Sequence, residues 1–151
     1  MDAIDIQNIT KNVDISPFVH DINNAILTAS IHGERIYQFE TQDNMSEIVL
    51  KKIQAHYEKE GYVCSITEKY ATSQYIVWVN WYDFRSGDLA DNYYNCCVAQ
   101  VHEIIDKISV AAQQGKQQFT AYGEVKDDVT NCLKRKGFKV SCGDGWETYS
   151  W

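Results

Sequence analysis

Proline occurs once in the 151 residues, and no stretch is of low complexity. Long disordered linkers, which need such compositions, are therefore not expected. No apolar run reaches the roughly 18 residues of a membrane span, and the N-terminus lacks the basic and apolar regions of a signal peptide. A reducing cytoplasm is the expected setting, with no membrane partner. Basic clusters are missing apart from Lys134-Arg135-Lys136, and the formal net charge is −7. A surface of that sign repels phosphate backbones, which argues against nucleic acid as a partner. There is no Cys-x-x-Cys pair, and His20, His32, His56 and His102 show no ligand spacing. No metal and no cofactor is expected. The five Cys read as buried, reduced thiols rather than a disulfide framework.

What is present is ordinary in bulk and unusual in one respect. Apolar residues at 44% and charged residues at 23% suit a globular chain. Aromatics reach 13%, with ten Tyr and four Trp. Aromatic side chains carry much of the energy of cores and interfaces, so the excess points to contact surfaces beyond one small core.

The chain also repeats its own grammar. Val49, Ile53, Tyr57, Gly61 and Tyr62 recur as Val125, Val129, Leu133, Gly137 and Phe138. Upstream, Ile22, Ile26, Ala29, Gly33 and Tyr37 recur as Ile104, Ile108, Ala111, Gly115 and Phe119; downstream, Val79 and Trp81 recur as Tyr149 and Trp151. Identities are few. Duplication is the reading taken, with chance likeness of two ordinary α/β units as the alternative. The predicted fold is α+β: two tandem α-β-α-β-β repeats, each a small three-stranded mixed sheet covered by two helices. Residues 1–16 form an N-terminal arm or edge strand, 17–81 the first repeat, 82–94 a connector and 95–151 the second repeat.

Ser16-Pro17 offers a helix N-cap and a first-turn proline, and Gly33 a left-handed stop. The run Ile36–Glu40 alternates as a strand, Asn44 or Ser46 caps the next helix, and Gly61 ends it. A crossover between the first two strands makes them parallel neighbours, with a hairpin strand over Tyr75–Trp81 added alongside. Period-2 alternation puts Tyr75, Val77, Val79 and Trp81 on one face and Ile76, Trp78 and Asn80 on the other. Helices cover one face only. The second is hidden between the two sheets or meets another subunit, and in the second copy it carries Trp146.

No motif names a reaction. Cys96-Cys97 with His102 invites a nucleophile or metal reading, but small thiols explain it as well. Asp127-Asp128 point about 100° apart on a helix and suit its dipole better than acid/base work. Gly115-Lys116 and Gly123-Glu124 match no phosphate loop. Asp83, Arg85 and Asp88 crowd around Gly87 and form the candidate ligand cleft. The candidate protein-interface residues are Tyr82, Phe84, Tyr93, Tyr94, Ile76, Trp78 and Trp146.

The motifs Ala111-Ala112-Gln113-Gln114-Gly115-Lys116, Leu133-Lys134-Arg135-Lys136-Gly137-Phe138-Lys139-Val140 and Tyr149-Ser150-Trp151 resemble those of small α/β proteins encoded by tailed bacteriophages. The resemblance covers the C-terminal third; the first copy departs from it at His32-Gly33-Glu34. It transfers no catalytic residue. It implies a non-enzymatic structural or interaction protein, a virion component acting through contacts with other virion proteins or with itself, found in the infected host's cytoplasm and then in the particle. The alternative is a small-ligand or nucleotide-binding phage protein, such as a host-defence antagonist, with its site between repeats or subunits.

Overall fold

Among the described residues (2–42, 44–70 and 72–151 of a computed structural model), five helices and six strands form. Their order is α1 (Ala3–Lys11), α2 (Ser16–Ile31), β1 (Ile36–Glu40), α3 (Glu47–Lys59), β2 (Val63–Glu68), β3 (Tyr75–Asn80), α4 (Asp88–Gln113), β4 (Gln118–Tyr122), α5 (Asp127–Arg135), β5 (Lys139–Gly143) and β6 (Trp146–Ser150). The fold is α+β, with two three-stranded antiparallel sheets. The chain divides into two units, Met1–Asn92 and Tyr93–Trp151. The division falls inside α4. Its start belongs with the first unit, where Leu89 packs on the core and Asn92 Nδ2 donates to Ser30 Oγ at 3.0 Å.

The N-terminal segment is a helix, not an edge strand; Met1 lies outside the described residues. Asp2 caps it: its carboxylate accepts from Asp5 N, while the Asp5 carboxylate accepts from Asp2 N at 2.9 Å. This reciprocal cap makes a helix from a loosely alternating apolar pattern. The α2 cap also differs from expectation. Ser16 is inside the helix, and Asp14 accepts both its N–H (2.9 Å) and its hydroxyl (2.7 Å). Those bonds hold the Asp14 carboxyl below its ordinary range.

In the first unit β3 is central, pairing with β1 and β2 in the order β1-β3-β2. The expected mixed sheet is thereby corrected. β1 and β2 run the same way but are separated, so every pairing is antiparallel. β3 carries large apolar groups on both faces and gains most from a position with neighbours on either side. Its inner face, Val77, Val79 and Trp81, packs under Ile22 and Ile26 of α2 and Val49, Leu50, Ile53 and Tyr57 of α3. In the second unit the order is β4-β6-β5, again antiparallel. There Tyr149 of β6 packs under Val101, Ile104 and Ile108 of α4 and Val129 and Leu133 of α5.

Four helices end alike. Gly33, Gly61, Gly115 and Gly137 take positive φ, and the N–H of the following residue reaches back: Glu34 to Ala29 O, Tyr62 to Tyr57 O, Lys116 to Ala111 O and Phe138 to Leu133 O, at 3.0–3.2 Å. Only glycine takes this conformation without strain. Gly137→Ala is therefore expected to cost about 1–2 kcal/mol, read from denaturant midpoints, although no atom lies near its added carbon.

Candidate functional site

The outer face of the second sheet, turned away from α4 and α5, is polar along most of its length. The hydroxyls of Thr120 and Thr148 are 2.7 Å apart across the β4–β6 pair. At one end it becomes aromatic. Tyr122, 83% exposed, is the cross-strand partner of Trp146, 38% exposed. Trp146 in turn pairs with Gly143 of β5, and a side chain added there would strike the indole at 2.2 Å. Gly143 thus leaves the space the indole occupies, an aromatic lying over a strand glycine.

The inner face at this end holds a carboxylate. Thr130 Oγ1 lies 2.7 and 2.9 Å from the two Glu147 oxygens, Tyr149 OH donates to Oε2, and Cys142 Sγ donates to Oε1 at 3.5 Å. Thr130 and Tyr149 are buried. Both carboxylate oxygens have protein partners, so the group serves as a structural acceptor.

Between α4 and α5 lies a groove of about 570 Å³, within the range of small-ligand sites. Tyr93 and Tyr94 line it, and the Tyr93 hydroxyl donates to Asp128 Oδ2 at 2.7 Å. A second cavity, of about 520 Å³, lies in the first unit beside Tyr57, Tyr62 and Phe84. Tyr57 OH there donates to Asn23 Oδ1 at 2.9 Å.

Comparison with protein-family models, curated proteins and solved structures finds no match to this chain.

The sequence-predicted residues are distributed unevenly. Ile76 and Trp78 share the outer face of the first sheet, half-buried, and Trp78 Nε1 donates to Gln38 Oε1 at 2.8 Å. Tyr93 and Tyr94 come together at the groove, and Trp146 lies on the outer face of the second sheet. Tyr82 is exposed with the Arg35 guanidinium over its ring, 4.9 Å from the centroid. Phe84 packs on the first core, 4.8 Å from the Tyr62 ring, and passes close to Gly61. Of the three cleft residues, Asp88 borders the cavity beside Phe84. Arg85 turns to its own loop, donating to Tyr82 O at 2.8 Å. Tyr122, Glu147 and the groove-lining Arg135 and Lys136 were missed. Tyr122 was open to detection: Phe119 and Ala121 face the core, so period-2 alternation sends Tyr122 outward.

The thiols correct one expectation. Cys64 is buried, Cys96, Cys97 and Cys132 are half-buried, and Cys142 is exposed. Burial pushes Cys64 up to about 11, and Cys142 is raised by partial desolvation and by the Glu147 carboxylate. Since the thiolate is the reactive form, Cys64 should resist alkylation until the protein unfolds. Cys142 should react more slowly than a free thiol despite its exposure. Glu147→Gln should accelerate Cys142, measured by mass-resolved alkylation rates.

Alkaline pH should unfold the protein. Burial raises the Tyr57 and Tyr149 phenols above their ordinary 10.0 and Cys64 above its ordinary 9.0. A group raised in the folded state stabilises it fully below the unfolded value, and the contribution falls as pH climbs toward the folded one. Urea midpoints should therefore fall from about pH 9 upward, first through Cys64 and then through the phenols. Phenolate absorbance from the two buried tyrosines should appear only with unfolding.

Proposed function

We propose that the protein is a non-enzymatic interaction protein whose partner seats on the outer sheet faces. The observation that carries this reading is the adjacent Tyr122 and Trp146, exposed together on the face opposite the second core. Aromatic anchors inside a polar surround are how protein interfaces concentrate their energy. The Ile76–Trp78 face of the first sheet offers a second area of the same kind. Repetition of the element order, strand order and helix-end glycines supports descent of the two units from one duplicated segment. The likeness to phage proteins adds assembly into a virion as the setting, with another virion protein or a second copy as the partner.

The double variant Tyr122→Ser, Trp146→Ser tests this. Tyr122 is at the surface while Trp146 gives up its packing over Gly143, so stability should fall by no more than about 2 kcal/mol. Association should weaken by about 2 kcal/mol or more, as for hot-spot residues. Sedimentation over a concentration series reads self-association; cross-linking from position 122 in the producing cells, followed by mass spectrometry, reads other partners. Complexes at wild-type level in the double variant would remove this face.

A further inference from the structure

The groove of the second unit has walls built at helical spacing. Tyr94, Cys97 and Val101 of α4 follow an i, i+3, i+7 stripe, and Asp128, Cys132 and Arg135 of α5 an i, i+4, i+7 stripe. Its two ends differ chemically. One is closed by the Tyr93–Asp128 hydrogen bond, which engages a single carboxylate oxygen. Two turns along α5, about 10 Å at 1.5 Å per residue, Arg135 and Lys136 border the other end. His102 of α4 also lines the groove. Among the described residues neither Arg135 nor Lys136 forms an ion pair. Lys134, the third member of the basic run, points elsewhere and acts on Cys142. A chain of net charge −7 thus places two cations at one mouth of a largely apolar groove.

The geometry points to this groove as a binding site for a small organic anion. Its occupant has an apolar or aromatic body about 10 Å long, with a carboxylate, sulfonate or phosphate monoester at one end. Arg135 and Lys136 hold the anion, Tyr94 and Val101 flank the body, and a hydroxyl or amide at the far end donates to Asp128. Charge complementarity selects the orientation: the anionic group is drawn to the Arg135 end and repelled by Asp128. This site is separate from the Tyr122–Trp146 face and does not depend on it.

Anilinonaphthalene sulfonate is the probe, with neutral phenylnaphthylamine as its uncharged counterpart, both added to the full chain. Amide NMR shifts caused by the sulfonate should concentrate between Tyr93 and His102 of α4 and along α5. Arg135→Gln with Lys136→Gln removes only exposed charges, and unchanged shifts elsewhere verify its fold. It should weaken the sulfonate by about tenfold or more, as expected for lost charge-assisted bonds, and leave the neutral compound within about twofold. Tyr94→Ala should weaken both compounds. Equal sulfonate affinity in the wild type and the double-glutamine variant would overturn the assignment. So would shifts confined to the β4–β6 outer face, which would instead mark the aromatic face as the ligand-accepting surface. Binding of an acidic peptide but not of the sulfonate would overturn the small-molecule assignment.

Discussion

Trp81→Ala is expected to destabilise the first unit by about 3–5 kcal/mol, the usual cost of opening a cavity of that size in a core. Trp81 is 2% exposed and lies at the end of β3, its ring 6.4 Å from that of Tyr62. Its backbone is anchored too, with Trp81 N donating to Arg35 O and Trp81 O accepting from Phe84 N. The indole itself is poorly served. Among the described residues, Trp81 Nε1 is the buried side-chain polar atom without a hydrogen-bond partner. A buried, unpaired N–H costs about 1–3 kcal/mol, so Trp81→Phe removes that penalty while keeping much of the apolar volume. The phenylalanine variant should therefore lose no more than about 2 kcal/mol. Urea unfolding followed by circular dichroism separates the two. Equal losses for alanine and phenylalanine would show that indole shape, not apolar volume, is what the site requires.

Glu147→Leu should cost the second unit about 3–5 kcal/mol, because it takes a charged acceptor from two buried hydroxyls, each such bond being worth about 1.5–3 kcal/mol. Thr130 and Tyr149 would be left in apolar surroundings without a partner. The decisive measurement is the double-mutant cycle. Thr130→Val should destabilise the wild type by about 1–2 kcal/mol but be close to neutral in the Glu147→Leu background, since there is then no acceptor left to lose. Additive losses would mean that Thr130 contributes by packing alone.

Much of the architecture was legible because its determinants are local. Helix-spaced apolar residues ending at a glycine mark α2, α3, α4 and α5, and the positive φ of Gly33, Gly61, Gly115 and Gly137 shows why glycine stands at each end. Period-2 alternation assigned Val77 and Val79 to the core face and Ile76 and Trp78 to the other. The residues around the candidate sites were harder to place. Phe84, in an aromatic connector, gave no local sign that it would close over Tyr62 instead of projecting, and Lys134-Arg135-Lys136 gave none that a helix would send its members to different sides.

The sequence by itself determined the α+β class, the glycine-marked ends of α2, α3, α4 and α5, the strands and the face each β3 residue takes, since these follow from the backbone's periods and from glycine's freedom. α1 and its Asp2 cap were not among them. Strand order depended on tertiary structure. A hairpin strand can pair at an edge or between its neighbours with the same local pattern, and only the pairing of both its edges, with the burial of its Val77–Val79 face, favours the centre. Tertiary packing also decided the Glu147 cluster and the groove. Each joins residues from separate elements, Thr130 with Glu147 and Tyr93 with Asp128, whose approach is set by how helices settle on a sheet.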